Sequence, residues 1–280
     1  MLELIDLEFR GYAREIGVYL LETPDGPALF DCGPTTTLQT LRGALRERDL
    51  ELTDIRHLLL SHIHLDHAGA AGPIVREHPG LTVWVSEIGA KHLADPSRLE
   101  ASARRLYGAD FDELWGELAP VPESNIAIAA GDVLGWEAFP TPGHASHHVS
   151  YFKDGTLLAG DACGVRLPPS EYVVPVAPPP DIDLEAWFRT IAEIQAREPQ
   201  RLALIHFDVV TDAAEHMVRL GTELDRWAEL VRAGLDTDEF EAEARKGAGP
   251  DAATYDAVAP YDQSWQGLRR YWVKRGEFGA

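Results

Sequence analysis

Cysteine is scarce. The chain has 280 residues and only two cysteines, Cys32 and Cys163. Two cannot make a disulfide framework, and a chain of this length buries enough surface to fold without one. They read as small, partly buried thiols. Positive charge is also scarce: 25 Lys and Arg face 46 Asp and Glu, a formal net charge of -21. That balance opposes a phosphate backbone and an anionic membrane surface, both of which call for clustered cations. It reads as a solubility device. No apolar run approaches the roughly 18 residues that cross a bilayer. Glu3 and Asp6 stand where a signal peptide would have a basic end and a long apolar stretch, so the expected location is cytoplasmic. A Gly-x-Ser-x-Gly elbow is missing, so a serine nucleophile of that kind is not expected. The partner these absences leave is a small molecule, not a nucleic acid or a membrane.

What is present is a strand–helix rhythm. Residues 17–22 and 28–31 read as strands separated by a Pro- and Gly-containing turn, a hairpin. Leu38, Leu41 and Leu45 mark one face of a helix over 35–49. A buried strand over 55–60 follows, then a short helix over 69–78 and a strand over 81–86. Residues 96–118 read as helical, broken at Gly108. Strands are expected at 126–129, 136–139, 148–152 and 156–161, with turns at Gly131-Asp132 and Asp154-Gly155. Six prolines in 168–180 require an extended loop. Asp183 is placed to cap a helix whose apolar positions include Leu184, Trp187, Phe188, Ile191 and Ile194. A strand over 201–206 ends at His206, and a long helix over 211–233 follows. Residues 236–256, acidic and then rich in Ala and Gly, read as mobile. Trp265, Leu268, Tyr271 and Trp272 form a helical stripe over 261–275 that packs on the body. The class is α/β. The division expected is a catalytic domain over 1–210 and a helical C-terminal extension over 211–280, packed on the same domain.

The chemistry concentrates at 61–67, Ser-His-Ile-His-Leu-Asp-His. His62, His64 and Asp66 are two apart, so an extended segment projects them to one side, while His67 projects differently. One short segment can feed two neighbouring metal positions. Imidazole and carboxylate suit zinc, iron or manganese at catalytic sites. Against this stands a chance cluster of exposed histidines, but three of the chain's 11 histidines within six positions, directly after an apolar strand, speak for a built site. His144, Asp161 and His206 each stand at a strand end or in the turn after it, where α/β proteins gather ligand sites. His147 and His148 compete with His144, which is preferred because Gly143 precedes it.

This motif set resembles the metallo-β-lactamase fold hydrolases: His-x-His-x-Asp-His at 62–67, Gly-His at 143–144, Gly-Asp at 160–161, a strand-closing His206, and an early Asp31. The resemblance covers roughly residues 1–206. It implies a four-layer αββα sandwich with metals between the edges of two sheets. It implies one metal on His62, His64 and His144, a second on Asp66, His67 and His206, and Asp161 bridging them, with Asp31 orienting the ligands. The cofactors implied are two divalent ions, with zinc the default and iron or manganese fitting the same donors. The mechanism implied is attack by a metal-bridging hydroxide, with Asp66 as the catalytic residue that orients it and passes a proton.

A bridging aspartate at 161 makes the chain look more similar to glyoxalase II, lactonases and related hydrolases of small esters and thioesters than to zinc β-lactamases. The basic glutathione-binding residues of glyoxalase II are not recognisable in the tail. The alternatives are a persulfide dioxygenase using one iron and, ranked lower, a phosphodiesterase or nuclease, whose inserted domain and basic surface are missing. A binding module that has lost catalysis is disfavoured by the complete ligand set. Tyr107, Trp115 and Tyr172 are candidate pocket walls, set against ordinary packing. The helical tail is open to three uses: covering a sheet edge, acting as a lid, or forming a homodimer face.

Overall fold

Apolar–turn alternation at the start of the chain becomes three antiparallel strands, β1 (Leu2–Asp6), β2 (Gly17–Thr23) and β3 (Gly26–Phe30). Three parallel strands then extend the sheet: β4 (His57–Leu59), β5 (Thr82–Val85) and β6 (Ile126–Ile128). Parallel pairing requires a crossover between successive strands. The crossovers here are helical: α1 (Leu38–Arg46) between β3 and β4, then α2 (Leu65–Ala68) and α3 (Ala71–Glu77) between β4 and β5. Three more helices join β5 to β6: α4 (Glu87–Ala94), α5 (Ser97–Tyr107) and α6 (Phe111–Trp115). Gly108 ends α5 with φ at +56°, the break expected from its sequence.

The computed structural model describes residues 2–278, and these fall into two units. The first runs to Pro140 and also takes in His147–Lys153. Besides the β1–β6 sheet it holds an antiparallel ladder of β7 (Gly131–Val133), β8 (Trp136–Pro140) and β9 (Val149–Lys153). Gly131 and Asp132, expected as a turn, pair with β8 instead. The ladder and the sheet share a core in which Tyr151 meets Phe30 edge-on at 5.9 Å and donates its hydroxyl to the Leu60 carbonyl at 3.0 Å.

The second unit comprises Thr141–Ser146 and the chain from Asp154 onward. Its strands are β10 (Thr156–Leu158), β11 (Arg201–Leu204) and β12 (Asp208–Val210). The first pair is parallel and the second antiparallel. Helix α7 (Leu184–Ala196) begins where Asp183 was expected to cap it: the Asp183 carboxylate accepts from the Ala186 N–H at 3.0 Å. The C-terminal extension is helical, with α8 (Ala213–Arg232), α9 (Thr237–Ala248), α10 (Ala252–Val258) and α11 (Tyr261–Lys274). Residues 236–256, expected to be mobile, fold into α9 and α10. A reciprocal capping box between Asp236 and Glu239 starts α9, and Phe240, Ala244 and Ala248 recur every four residues on its buried face. Acidic composition masked that stripe. Among the described residues no helix is long and apolar enough to cross a membrane.

Close packing leaves two glycines with opposite roles. A Cβ on Gly72 in α3 would stand 1.9 Å from the Ala119 carbonyl oxygen, whereas one on Gly43 in α1 would meet nothing within 4 Å. Gly72→Ala is expected to destabilise by about 1–3 kcal/mol through overpacking. Gly43→Ala is expected to stabilise by about 0.5–1 kcal/mol by removing a helical glycine. Urea unfolding of the two variants beside the parent checks both signs.

Candidate metal centre

The parallel pairing of β3 with β4 brings their C-terminal ends to one edge. Phe30 lies opposite Leu59, so Asp31 and Ser61 emerge side by side. Asp31 has φ at +58°, a left-handed conformation that Asp tolerates, and its N–H still donates to the Leu59 carbonyl at 2.8 Å. The turn aims its carboxylate across the edge. One oxygen accepts from the Ser61 N–H at 2.7 Å; the other accepts from the Ser61 hydroxyl at 2.7 Å and from His67 Nδ1 at 2.8 Å. Asp31 is fully buried, and burial raises its carboxyl above the usual carboxylate value, against the lowering effect of His67 and Ser61.

These bonds decide which nitrogen each histidine presents. A carboxylate only accepts, so His67 carries its proton on Nδ1. The Ser61 hydroxyl spends its proton on Asp31, so at 3.0 Å it accepts from His62 Nδ1. Both rings therefore present Nε2 as a lone-pair donor. An acceptor behind the ring is the arrangement metal-binding histidines use.

The segment after β4 is extended only as far as His64, whose φ/ψ of −63°/155° precedes α2. Asp66 and His67 come off the four residues of that helix, not off a continuous extended run as expected. The helix folds His67 back toward His62, with ring centroids 4.1 Å apart, and sets Asp66 beside His67. His62 and His64 bring ligand nitrogens within 4.8 Å of one another; His62 and His67 do the same, as do the ligand atoms of Asp66 and His67. The first unit thus gathers four of the expected ligands. Ile63 and Leu65 alternate with them and line an apolar cavity of about 10 Å³ with Leu93, Leu99 and Leu118, room for one water at most.

The other three expected ligands belong to the second unit, where the same strand logic operates. Leu158 lies opposite Ala203 in the parallel β10–β11 pair. Asp161 and His206 each follow three residues later, so they leave the edge in register. Asp161 sits in the 3₁₀ turn Gly160–Cys163. His144 follows Gly143, whose φ of +139° and close approach to Trp187, 2.4 Å from a would-be Cβ to Cα, exclude a side chain there. His144 Nδ1 donates to the Val176 carbonyl at 2.6 Å, which again leaves Nε2 as the donor.

Asp161 faces both histidines at once. Its Oδ2 is 3.5 Å from His144 Nε2 and its Oδ1 is 3.6 Å from His206 Nε2. These separations are too long for good hydrogen bonds. They match the edge of a zinc tetrahedron, about 3.4 Å for ligand bonds near 2.1 Å. Asp66 Oδ2 and His67 Nε2 in the first unit are also 3.5 Å apart. The donor set therefore fits hard or borderline divalent cations, and the spacing fits shared coordination.

His147 and His148, the rivals of His144, lie in the first unit, with ring centroids 5.9 Å and 5.0 Å from that of His62. His144 stands beside Asp161. Ser61 and the Val176 carbonyl were not foreseen as orienting groups. A serine directly before the His cluster was a usable signal; a backbone carbonyl from a distant loop offers none. Trp115 is buried, stacked on Phe9 at 5.5 Å and met edge-on by Tyr107 at 5.0 Å. Tyr172 donates its hydroxyl to Glu223 and packs its ring edge on Tyr255. All three residues have packing roles.

Residues 14–223 match the metallo-beta-lactamase superfamily. The metallo-beta-lactamase fold-containing protein ST1585 of Sulfurisphaera tokodaii is 26% identical over 211 residues, 67% of this chain and 78% of that protein. The probable metallo-hydrolase YflN of Bacillus subtilis is 26% identical over 161 residues, 52% of this chain and 60% of that protein. The chain thus spans less than two thirds of the latter's length. Among solved structures, the metallo-beta-lactamase family protein TTHA1429 of Thermus thermophilus aligns with a TM-score of 0.73 at 20% identity, covering 99% of this chain and 93% of that one. A likeness at that identity shows the fold, and it is the fold expected from the motif set.

Asp31→Asn removes the charge that fixes the His67 proton on Nδ1 while keeping the side chain's size. Zinc affinity, measured by competition with a chromophoric chelator, is expected to fall about 10- to 100-fold, the usual effect of losing such a partner.

Proposed function

The chain belongs to the metallo-beta-lactamase superfamily, and from that premise we propose that it is a dinuclear metal-dependent hydrolase of a small ester, thioester or lactone. The observation that carries the reading is the Asp161 carboxylate, with one oxygen at tetrahedral-edge distance from His144 and the other from His206. A carboxylate whose two oxygens each stand at that distance from a different histidine suits the role of a bridging ligand. His62, His64 and His144 would hold one ion; Asp66, His67 and His206 the other. Zinc is the first choice, since imidazole and carboxylate donors at this spacing suit its tetrahedral preference. When bound, the ions supply Lewis acidity and a water acidified to near neutral pH.

The chain's own residues would divide the remaining work. Asp31 and Ser61 hold the rings of His62 and His67 in one tautomer. Asp66 is the candidate proton carrier: its side chain is 25% exposed, whereas those of His67, His144, Asp161 and His206 are at most 4% exposed. A carboxylate at the solvent margin can exchange its proton with bulk water. The net charge of -21 favours a carbonyl substrate over a polyanionic phosphodiester. The name of the Bacillus subtilis relative, a probable metallo-hydrolase, agrees with hydrolysis as the reaction class.

Elemental analysis of protein purified without added metal, beside Asp161→Ala, tests the reading. Close to two ions per chain are expected in the parent, with fewer in the variant and a parallel loss of thioester, lactone or aryl-ester hydrolysis. Removing a bridging ligand should lower kcat by about 100-fold or more, the scale seen when a charge-stabilising group is deleted. A single iron per chain, indifferent to the substitution and without hydrolysis, would replace the hydrolase with an oxygenase.

A further inference from the structure

The second unit's three candidate ligands are each connected by hydrogen bonds to the C-terminal helices or to the residue that precedes them. The Val176 carbonyl that orients His144 belongs to the Pro-rich loop, and its neighbour Ala177 lies directly on α11. The Ala177 N–H donates to the Ser264 hydroxyl at 3.4 Å, and a Cβ on Gly267 would stand 2.0 Å from the Ala177 carbonyl oxygen. Ser264 and Gly267 are three apart and both buried, so one face of α11 forms the seat of the loop. The turn bearing Asp161 is held by α8: His216 Nε2 donates to the Cys163 carbonyl at 2.8 Å. His206 is held by a third route. Its carbonyl accepts from the Arg166 N–H at 2.9 Å, and Arg166 Nη1 donates to Asp212, the residue before α8, at 2.6 Å.

We propose that the C-terminal helices are a brace that sets the metal ligands of the second unit, with Gly267 and His216 as positioning residues for His144 and Asp161. The inference rests on the reading of those two residues as metal ligands. Its physical basis is that a histidine ring is free to rotate unless its second nitrogen is bonded. The Val176 carbonyl supplies that bond only while the loop keeps its height above α11. At Gly267 there is no space for even one methyl group, so the height is fixed by the absence of a side chain. At His216 the ring is neutral, because burial lowers its pKa to about 4, with Cys163's carbonyl acting against that shift and Arg166, Asp212 and Arg219 the charged groups facing it. In that neutral ring the Cys163 carbonyl, which only accepts, keeps the proton on Nε2.

The test uses the full chain and Co²⁺ as the probe. Uptake is followed by the visible ligand-field spectrum and by chelator competition, neither of which depends on turnover. Gly267→Ala is expected to weaken one of the two cobalt sites about 10- to 100-fold. It should do so by altering the same bands that His144→Ala removes. In the His144→Ala background, Gly267→Ala is expected to add less than about twofold, because two changes acting through one ligand are not additive. His216→Leu should likewise weaken uptake, and His216→Gln, which keeps an N–H donor, should restore much of it; this pair decides the matter if Gly267→Ala fails to fold. Cobalt binding in Gly267→Ala equal to the parent's, full multiplication of the two effects, or equal behaviour of the Leu and Gln variants would overturn the brace while leaving the metal reading in place. Failure of the parent chain to bind cobalt would overturn the metal reading and the brace together.

Discussion

A buried carboxylate is costly unless its oxygens are bonded, and Asp31 is fully buried at the end of β3. The cost is met by the Ser61 N–H, the Ser61 hydroxyl and His67. Those same three bonds align the start of the His-rich segment with the strand edge, choose the tautomer of two histidines and, through His67, fix where α2 sits. The backbone cooperates: the Cys32 N–H donates to the His67 carbonyl at 2.8 Å, so His67 is joined once to Asp31 and once to the residue after it. Much of the first unit's geometry at this edge follows from satisfying one acid.

The second unit reaches a comparable result by different means. Its ligands stand on three separate segments, and parallel pairing of β10 with β11 brings two of them into register. Their support comes from carbonyls and N–H groups that the Pro-rich loop and the C-terminal helices hold in place. The loop can serve this way because prolines restrict its backbone before any contact is made, so less conformational entropy is lost when it seats on α11. The extension is itself well anchored. Trp227 of α8 is fully buried, with Phe240 of α9 edge-on at 5.2 Å and Tyr261 of α11 at 5.7 Å.

Expectations drawn from pattern held where local chemistry is strong and weakened where it is not. The β2–β3 hairpin, the cap at Asp183 and the break at Gly108 each rest on a residue whose backbone preference is specific. The strands β7 and β12 were not foreseen. Each is only three residues long, too short to carry an alternation, and exists because a neighbouring strand offers a ladder. The helices over 236–256 were misjudged because acidic composition was weighed above the four-residue spacing of Phe240, Ala244 and Ala248. The extended geometry assumed for His62 to Asp66 failed at Leu65, where the chain turns helical and returns His67 toward His62 with Asp66 beside it.

By itself the sequence determined which side chains could carry chemistry, because ligand identity and spacing are local properties. Three histidines and an aspartate within six residues, followed by Gly-His, Gly-Asp and a strand-closing His, name the donors and the family. Tertiary structure alone decided which atom each donor presents and what holds it. The Nε2 of His67 points outward because Asp31, 36 positions earlier, accepts from its other nitrogen. The Nε2 of His144 does so because a carbonyl 32 positions later, seated on a helix near the end of the chain, accepts from its own. Hydrogen bonds over such separations depend on where the backbone has been carried by pairing and packing, and a backbone carbonyl has no letter in the sequence by which it could be found.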